Sequence, residues 1–433
     1  MGHSRTSLLS GTAAVLIAAA SFAGAQTFQD ELANLRSPNA KTRIAAAKTL
    51  GKSQRPEAIS PLIEAMRDPE VKVRKTVVAS LRMYRDVATT DGLLVGLSDE
   101  DKTVRSDSID GVIELYVSDE KPRPVLGLFM GETRPDTAEQ VTPPEEKVIK
   151  ALETRLGDEE SSIRQRAAYA LGTLQSEGSV AALIRAMPDT VQSVRTEVIV
   201  ALGRVGTDSA GQALVRALAD SSSETREHAI DALGHMKYMP SAGALLGVYE
   251  SEKGKAMSDR ALSALAYMGA PEARGVFFQN LTSPSVLRRR YAVEGLGRLD
   301  DTNLLQGMTK DFLREPDESV QLAYCYAIAR LGRPEFIDRL ALSLSKIDMR
   351  DQARRYLVEL GSPFLTEFVP YLSDPATDVK KGMVQVLMEI GDPVAIPYIE
   401  PLLMDTDTKV ADLANRALAR LRRSQMTASI DSK

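Results

Sequence analysis

The sequence predicts an all-α fold, an α-α superhelix in which about twelve helix pairs stack right-handed as a solenoid. Three observations predict it. A block recurs along the chain: GDEESSIRQRAAYALG (Gly157 to Gly172), then TVQSVRTEVIVALG (Thr190 to Gly203), then SSSETREHAIDALG (Ser221 to Gly234). The interval is constant, because Gly172, Gly203 and Gly234 lie 31 residues apart, as do Arg164, Arg195 and Arg226. Within a block the apolar residues fall at helical spacing, Ile163, Ala167, Leu171 and Leu174 making one face. A fixed period between about 20 and 50 residues marks stacked supersecondary units, none of which buries its apolar face alone.

Each element of the unit has a local reason. Gly157 is expected to end a helix in the left-handed region that glycine enters cheaply. Asp158, Ser161 and Ser162 offer side-chain acceptors to the free N–H groups opening the next helix. Ala167, Ala168 and Ala170 are small enough for a neighbouring helix to approach closely, and Gly172 closes the unit. Between the arginine-bearing helices a shorter one is read from Val180, Leu183, Ile184 and Met187 at i, i+3, i+4 and i+7.

Two helices per 31 residues, with the signature V-R-x-x-A-x-x-A-L-G, resemble the HEAT-repeat family, and within it the short bacterial repeats named after phycobilin-lyase subunits. The resemblance covers nearly all of the chain after residue 25. It implies architecture; one scaffold serves many tasks, so it implies no particular chemistry.

Taken in order, repeats one to three occupy residues 26–117, with Arg43, Arg74 and Arg105 again 31 apart. Then the period breaks: Arg105 to Arg164 spans 59 residues. The excess is a proline-rich segment, 118–144, whose Pro122, Pro124, Pro135, Pro143 and Pro144 exclude a regular helix. It carries an apolar patch of Val125, Leu126, Leu128, Phe129 and Met130. Two readings of the patch stay open, a cover for the neighbouring solenoid surface and a docking point for a partner. Repeats four to twelve fill 145–423, with Arg260 and Arg288 at the arginine position of the seventh and eighth. Pro271, Pro334, Pro363 and Pro393 open first helices, a position that suits proline. Residues 424–433 are polar and are expected to be disordered. Arg416, Arg420, Arg422 and Arg423 suit an end cap facing water.

Residues 1–25 read as a signal peptide: Arg5, an apolar Leu8 to Ala20, and Ala23-Gly24-Ala25 as an A-x-A cleavage site, with the mature chain starting at Gln26. The apolar core is short for a membrane span, and no other stretch is apolar enough. Export to the periplasm or beyond is therefore expected. Removing 1–25 takes away Arg5 and no acid, moving the net charge from −5 to −6. A mildly acidic exported chain is a poor nucleic-acid binder. Cys325 is the single cysteine, so no intramolecular disulfide forms.

The recurrent arginines Arg43, Arg74, Arg105, Arg164, Arg195, Arg226, Arg260 and Arg288 form a ladder. They are read as structural, each bonding the turn before it (Asp68 before Arg74, Asp99 before Arg105, Asp158 before Arg164), as the resemblance also implies. In Arg288-Arg289-Arg290 one residue is the ladder arginine and the others a solvated face. His228 and His235 remain after export. The metal enzymes built on these repeats, the deoxyhypusine hydroxylases, use several His-Glu pairs, whereas Glu227-His228 occurs once and H-E-x-x-H is absent. A soft-metal set of His235, Met236 and Met239 is weaker still. Gly51-Lys52-Ser53 lacks the earlier glycine of a phosphate loop. Ser343 to Lys346 reads S-x-x-K without its companion motifs.

No catalytic, cofactor or metal residue is therefore singled out. The expected function is a non-catalytic exported scaffold that binds a protein or peptide on the long concave face lined by the second helices. Alternatives are an enzyme subunit like the bilin lyases and a nucleic-acid binder like the repeat-type DNA glycosylases.

Overall fold

The computed structural model describes residues 27–117, 143–252 and 254–431, with side chains placed through residue 425. The signal segment 1–25 and the patch Val125, Leu126, Leu128, Phe129 and Met130 lie outside the described residues. Those described form helices, turns and connecting coil, with no strand among them. They divide into two compact units, one ending at Ala201 and the other starting at Leu202.

The first unit holds α1 (residues 27–34), α2 (Ala40–Ser53), α3 (Ile59–Ala65), α4 (Val71–Arg82), α5 (Thr90–Leu97), α6 (Lys102–Tyr116), α7 (Glu146–Arg155), α8 (Ser161–Thr173), α9 (Val180–Ala186) and α10 (Gln192–Val205), the last running across the division. Odd-numbered helices are the short first members of pairs and even-numbered ones the longer second members. Successive second helices pack in line, α2 on α4, α4 on α6 and α6 on α8, which is the contact pattern of an α-α solenoid. Ile163, Ala167, Leu171 and Leu174 are all buried, as their spacing predicts.

The second unit follows the same plan. It comprises α11 (Asp208–Ala217), α12 (Ser223–His235), α13 (Ala242–Ser251), α14 (Ala256–Met268), α15 (Arg274–Asn280), α16 (Val286–Arg298), α17 (Leu305–Phe312), α18 (Glu318–Arg330), α19 (Ile337–Leu342), α20 (Arg350–Leu360), α21 (Leu365–Phe368), α22 (Thr377–Ile390), α23 (Ile396–Ile399) and α24 (Thr408–Asp431). The second helices from α12 to α24 again pack each on the next. Helix α24 continues through Asp431, past Ser424, where the sequence is expected to lose order. Most first helices open with a 3-10 turn, and proline stands in those at Pro56–Ala58, Pro271–Ala273, Pro334–Phe336 and Pro393–Ala395. In α21 and α23 the helix tightens to 3-10 after one turn, because Pro370 and Pro401 have no N–H to give to an i−4 carbonyl.

The glycines have a different task from the one expected. Gly157 does not adopt positive φ, and Gly172, Gly203 and Gly234 sit inside their helices rather than closing them. Gly172 lets α8 touch the backbone of Ala201: a Cβ there would lie 2.6 Å from its Cα. Gly297 does the same against Ala327. The glycine marks the crossing of successive second helices. The left-handed residues that turn the chain afterwards are Gln54, Gln175 and Lys237 in several repeats, and glycine only in others, such as Gly269 and Gly391. At α8 the cap is Glu160, with no side-chain cap bond, and both serines lie within the helix.

Candidate functional site

The ladder arginines occupy the fourth position of second helices, one turn from the N-terminus, where a long side chain reaches back over the preceding turn. Arg74 donates from Nη1 to the Asp68 carbonyl at 2.8 Å. It donates from Nε and Nη2 to both carboxylate oxygens of Asp99 at 2.6 and 2.9 Å. Arg43 holds Asp68 and Arg164 holds Asp189 with the same fork. The preceding turn thus supplies carbonyls, as expected, but the carboxylate comes from the next repeat, 25 residues on. Each aspartate serves two arginines. Asp68, Asp99, Asp158 and Asp189 give the carboxylate to the arginine before and the carbonyl to the one after. Arg105 reaches Asp158, 53 residues on at 2.9 Å, so the inserted segment leaves the relay intact.

These pairs are largely out of water: Arg74 is 7% exposed and Asp99 5%. The bonds to Arg164 hold the Asp189 carboxyl below its usual range, with burial opposing. The guanidinium groups of Arg43, Arg74 and Arg164 are raised, each chiefly by its bonds to the aspartate it holds. Arg195 and Arg226 bond the carbonyls of Asp189 and Asp220.

In the second unit the ladder shifts register. Arg289, not Arg288, takes the ladder place, bonding the Ser283 carbonyl and both oxygens of Glu315. Arg288 turns instead to Asp259 on α14, because α16 starts at Val286 and its fourth residue is Arg289. Arg260 also leaves the ladder: the fourth residue of α14 is Asp259, and Arg260 pairs with Asp231 and Glu227 on α12. Arg290 lies 3.6 Å from Glu294, so no part of the triple-arginine run is a solvated face. Gln321 and Lys380 stand in the ladder place of α18 and α22, Gln321 bonding the Glu315 carbonyl and Lys380 the Asp405 carboxylate.

Sequence reasoning missed a buried network joining α16 to α20 across α18. Arg298 forks onto Glu359 at 2.7 and 2.8 Å, its guanidinium lying over the Tyr267 and Tyr326 rings. Tyr356 stacks on Tyr326 and donates to Glu294, and accepts from Gln352. Burial pushes the Glu359 carboxyl up, yet the Arg298 charge overcomes it and holds the group at about 2. Burial drives the Tyr356 phenol far above its usual value. Neither group exchanges a proton near neutral pH, so the network locks helices together. The signal for it was an arginine and a glutamate 61 residues apart, two repeats.

Four further cations of the second unit converge elsewhere. Arg350 on α20, Lys381 on α22 and Lys409 and Arg416 on α24 line a cleft of about 330 Å³, with Asp378 and Asp412. Gly382 lets α22 approach Leu344, and Leu413 supplies an apolar wall. Lys381 pairs with Asp378 at 2.7 Å, and that bond, with the Arg350 and Lys409 charges, lowers the Asp378 carboxyl. Arg350 gives Nε to the Leu344 carbonyl and lines the cleft. The neighbouring Lys380 points away, to Asp405.

The other motifs dissolve into packing. Ser343 donates to the Arg339 carbonyl while Lys346 pairs with Glu318, so the S-x-x-K residues do not act together. His235 stacks on Tyr267, and His228 Nδ1 meets the Glu224 carbonyl. Cys325 is buried, and burial raises its thiol to about 12. Among the described residues no group of three or more His, Cys, Asp or Glu is placed to hold a metal. No helix among them is long and apolar enough to cross a membrane.

A family model described as HEAT repeats matches residues 30–112 and 149–234. Among solved structures the chain is similar to importin beta at 14% identity and TM-score 0.44, over 92% of this chain and 67% of that one. It is similar to the complex of CpcE and CpcF of phycocyanin lyase from Nostoc sp. PCC7120 at 20% and 0.35, over 67% and 98%. An engineered protein matches at 17% and 0.36, over 91% and 98%. No curated protein matches the chain.

Proposed function

We propose that this member of the HEAT-repeat family is a non-catalytic scaffold or adaptor, exported from the cell interior, that binds a protein or peptide on the face of its second helices. The observation that carries the reading is a division of labour among cations. The periodic arginines are occupied between repeats, whereas Arg350, Lys381, Lys409 and Arg416 gather at one cleft on successive second helices. Stacked pairs bury their apolar residues against each other and leave a long polar surface for a partner. The proposed export rests on Arg5, the apolar Leu8 to Ala20 and Ala23-Gly24-Ala25.

The test is capture from envelope extract with chain 26–433 as bait, read by quantitative mass spectrometry beside a bait reversed at Lys381 and Lys409. The reading expects a defined protein enriched on the first bait and depleted on the second. Enrichment of no protein on the first bait overturns it, and equal enrichment on both moves the partner from this cleft to another stretch of the second-helix face. Cleavage is checked separately, by N-terminal sequencing of protein from the periplasmic fraction; a start at Met1 refutes export by this signal.

A further inference from the structure

The cleft between α20, α22 and α24 has a chemistry that the general reading leaves open. Four cations against two carboxylates give it a local charge of +2 in a chain of net −5. Its positive groups differ in kind. Arg350 brings a planar guanidinium, bonded through Nε to the Leu344 carbonyl, whose geometry matches a carboxylate. Lys409 and Arg416 are exposed on α24, and neither side chain makes a hydrogen bond or ion pair among the described residues.

We infer that this cleft is a binding site for an acidic segment of a partner polypeptide, its Asp and Glu carboxylates meeting Arg350, Lys409 and Arg416. The inference rests on the scaffold reading and names the chemistry of its partner. A segment is favoured over a free acid by the exposure of the cations. Each exposed ion pair strengthens binding by at most about fivefold, so one carboxylate binds feebly and several in series are needed. The size agrees: about 330 Å³ admits one or two side chains at a time, with the rest of the segment lying along the second helices. A polypeptide is favoured over nucleic acid because the positive charge is confined. Asp378 and Asp412 interrupt the cations within the cleft itself, where a backbone-binding track needs continuous cations.

The experiment uses chain 26–433 and fluorescein-labelled hexaglutamate, read by fluorescence anisotropy in 50 mM salt. A peptide of the same length with glutamine at every position is the neutral control. Two double variants carry the same change in net charge: K409E/R416E in the cleft, and K48E/K52E on exposed α2 in the first unit. Circular dichroism melts establish that both fold. The expected result is that hexaglutamate binds and the neutral peptide does not. K409E/R416E weakens binding at least tenfold, K48E/K52E less than twofold, and free glutamate does not compete at millimolar concentration.

Equal losses in the two double variants, or no binding of hexaglutamate by the folded wild-type chain, overturn the inference. Displacement by oligothymidylate at a lower concentration than unlabelled hexaglutamate overturns it in favour of nucleic acid, and displacement by millimolar free glutamate in favour of a small acid. A chain that captures its partner equally with and without K409E/R416E keeps the scaffold reading and loses this one. A chain that binds hexaglutamate through the cleft and captures nothing does the reverse.

Discussion

Replacing Arg74 is the perturbation in which the arginine relay is most exposed to refutation. In the folded chain Arg74 holds both oxygens of Asp99, lies 3.0 Å from Glu100, and bonds the Asp68 and Pro69 carbonyls. Arg74→Ala leaves the Asp99 carboxylate, 5% exposed, without its partner in the preceding repeat. Stranding a buried charge in this way costs about 3–5 kcal/mol. Arg74→Lys keeps the charge and loses the fork, and should cost about 1.5–3 kcal/mol. Asp99→Ala strands the arginine instead, and the double variant should recover part of the sum, with a coupling of about 1–3 kcal/mol. The exposed pair Arg36–Glu64, 3.0 Å apart at 80% and 65% exposure, is the internal contrast. Arg36→Ala should cost under about 0.5 kcal/mol. A repeat array opens locally, so the assay is native-state hydrogen exchange of the amides in α3 to α6. Additive single variants, or Arg74→Ala no worse than Arg36→Ala, would show that the relay does not couple the repeats.

Gly297→Ala places a Cβ 2.5 Å from that of Ala327, so its overpacking should outweigh the gain in helix propensity and destabilise by about 1–2 kcal/mol in denaturant titration. Gly307→Ala in α17 meets nothing within 4 Å and should stabilise by about 0.5–1 kcal/mol. Two buried carboxyls should give opposite pH responses in hydrogen exchange. Asp231 is raised by burial to about 6 against the pull of Arg260, with His228 and Glu227 as its other charged neighbours. Its contribution is full below pH 4 and is lost as pH rises through 6, up to about 3 kcal/mol at α12 and α14, and Asp231→Asn should abolish that slope. Glu359, held at about 2, contributes stability above its unfolded value, lost only as pH falls toward 2, so Glu359→Gln should weaken α16 to α20 equally from pH 5 to 8.

The helices, their pairing and their buried faces were legible because periodicity reports which side chains share a helix face. Ile163 to Leu174 shows this. What a side chain reaches beyond its own helix was not legible. Asp68 precedes Arg74 in the sequence, and reading the pair as carboxylate and arginine is natural; only geometry assigns the carboxylate to Arg43 and the carbonyl to Arg74. The register of Arg288 and Arg289 failed for a related reason: a single residue's shift in the start of α16 sends one guanidinium to Glu315 and the other to Asp259. Glycine misled because the same residue serves a left-handed turn and a close helix crossing, and Gly172 serves the crossing. The cleft was missed because its cations come from three repeats, and sequence alone does not separate Lys381, which lines it, from Lys380, which turns to Asp405.

The central claim is that the second-helix face meets the partner while the first-helix side does not. It is tested most directly by placing a photo-crosslinking residue at Gln385, which lines the cleft on α22, or at exposed Thr366 on α21, and irradiating in envelope extract. The account predicts a protein adduct from position 385 and none from 366. An adduct from 366 alone, or the same adduct from both, would contradict it.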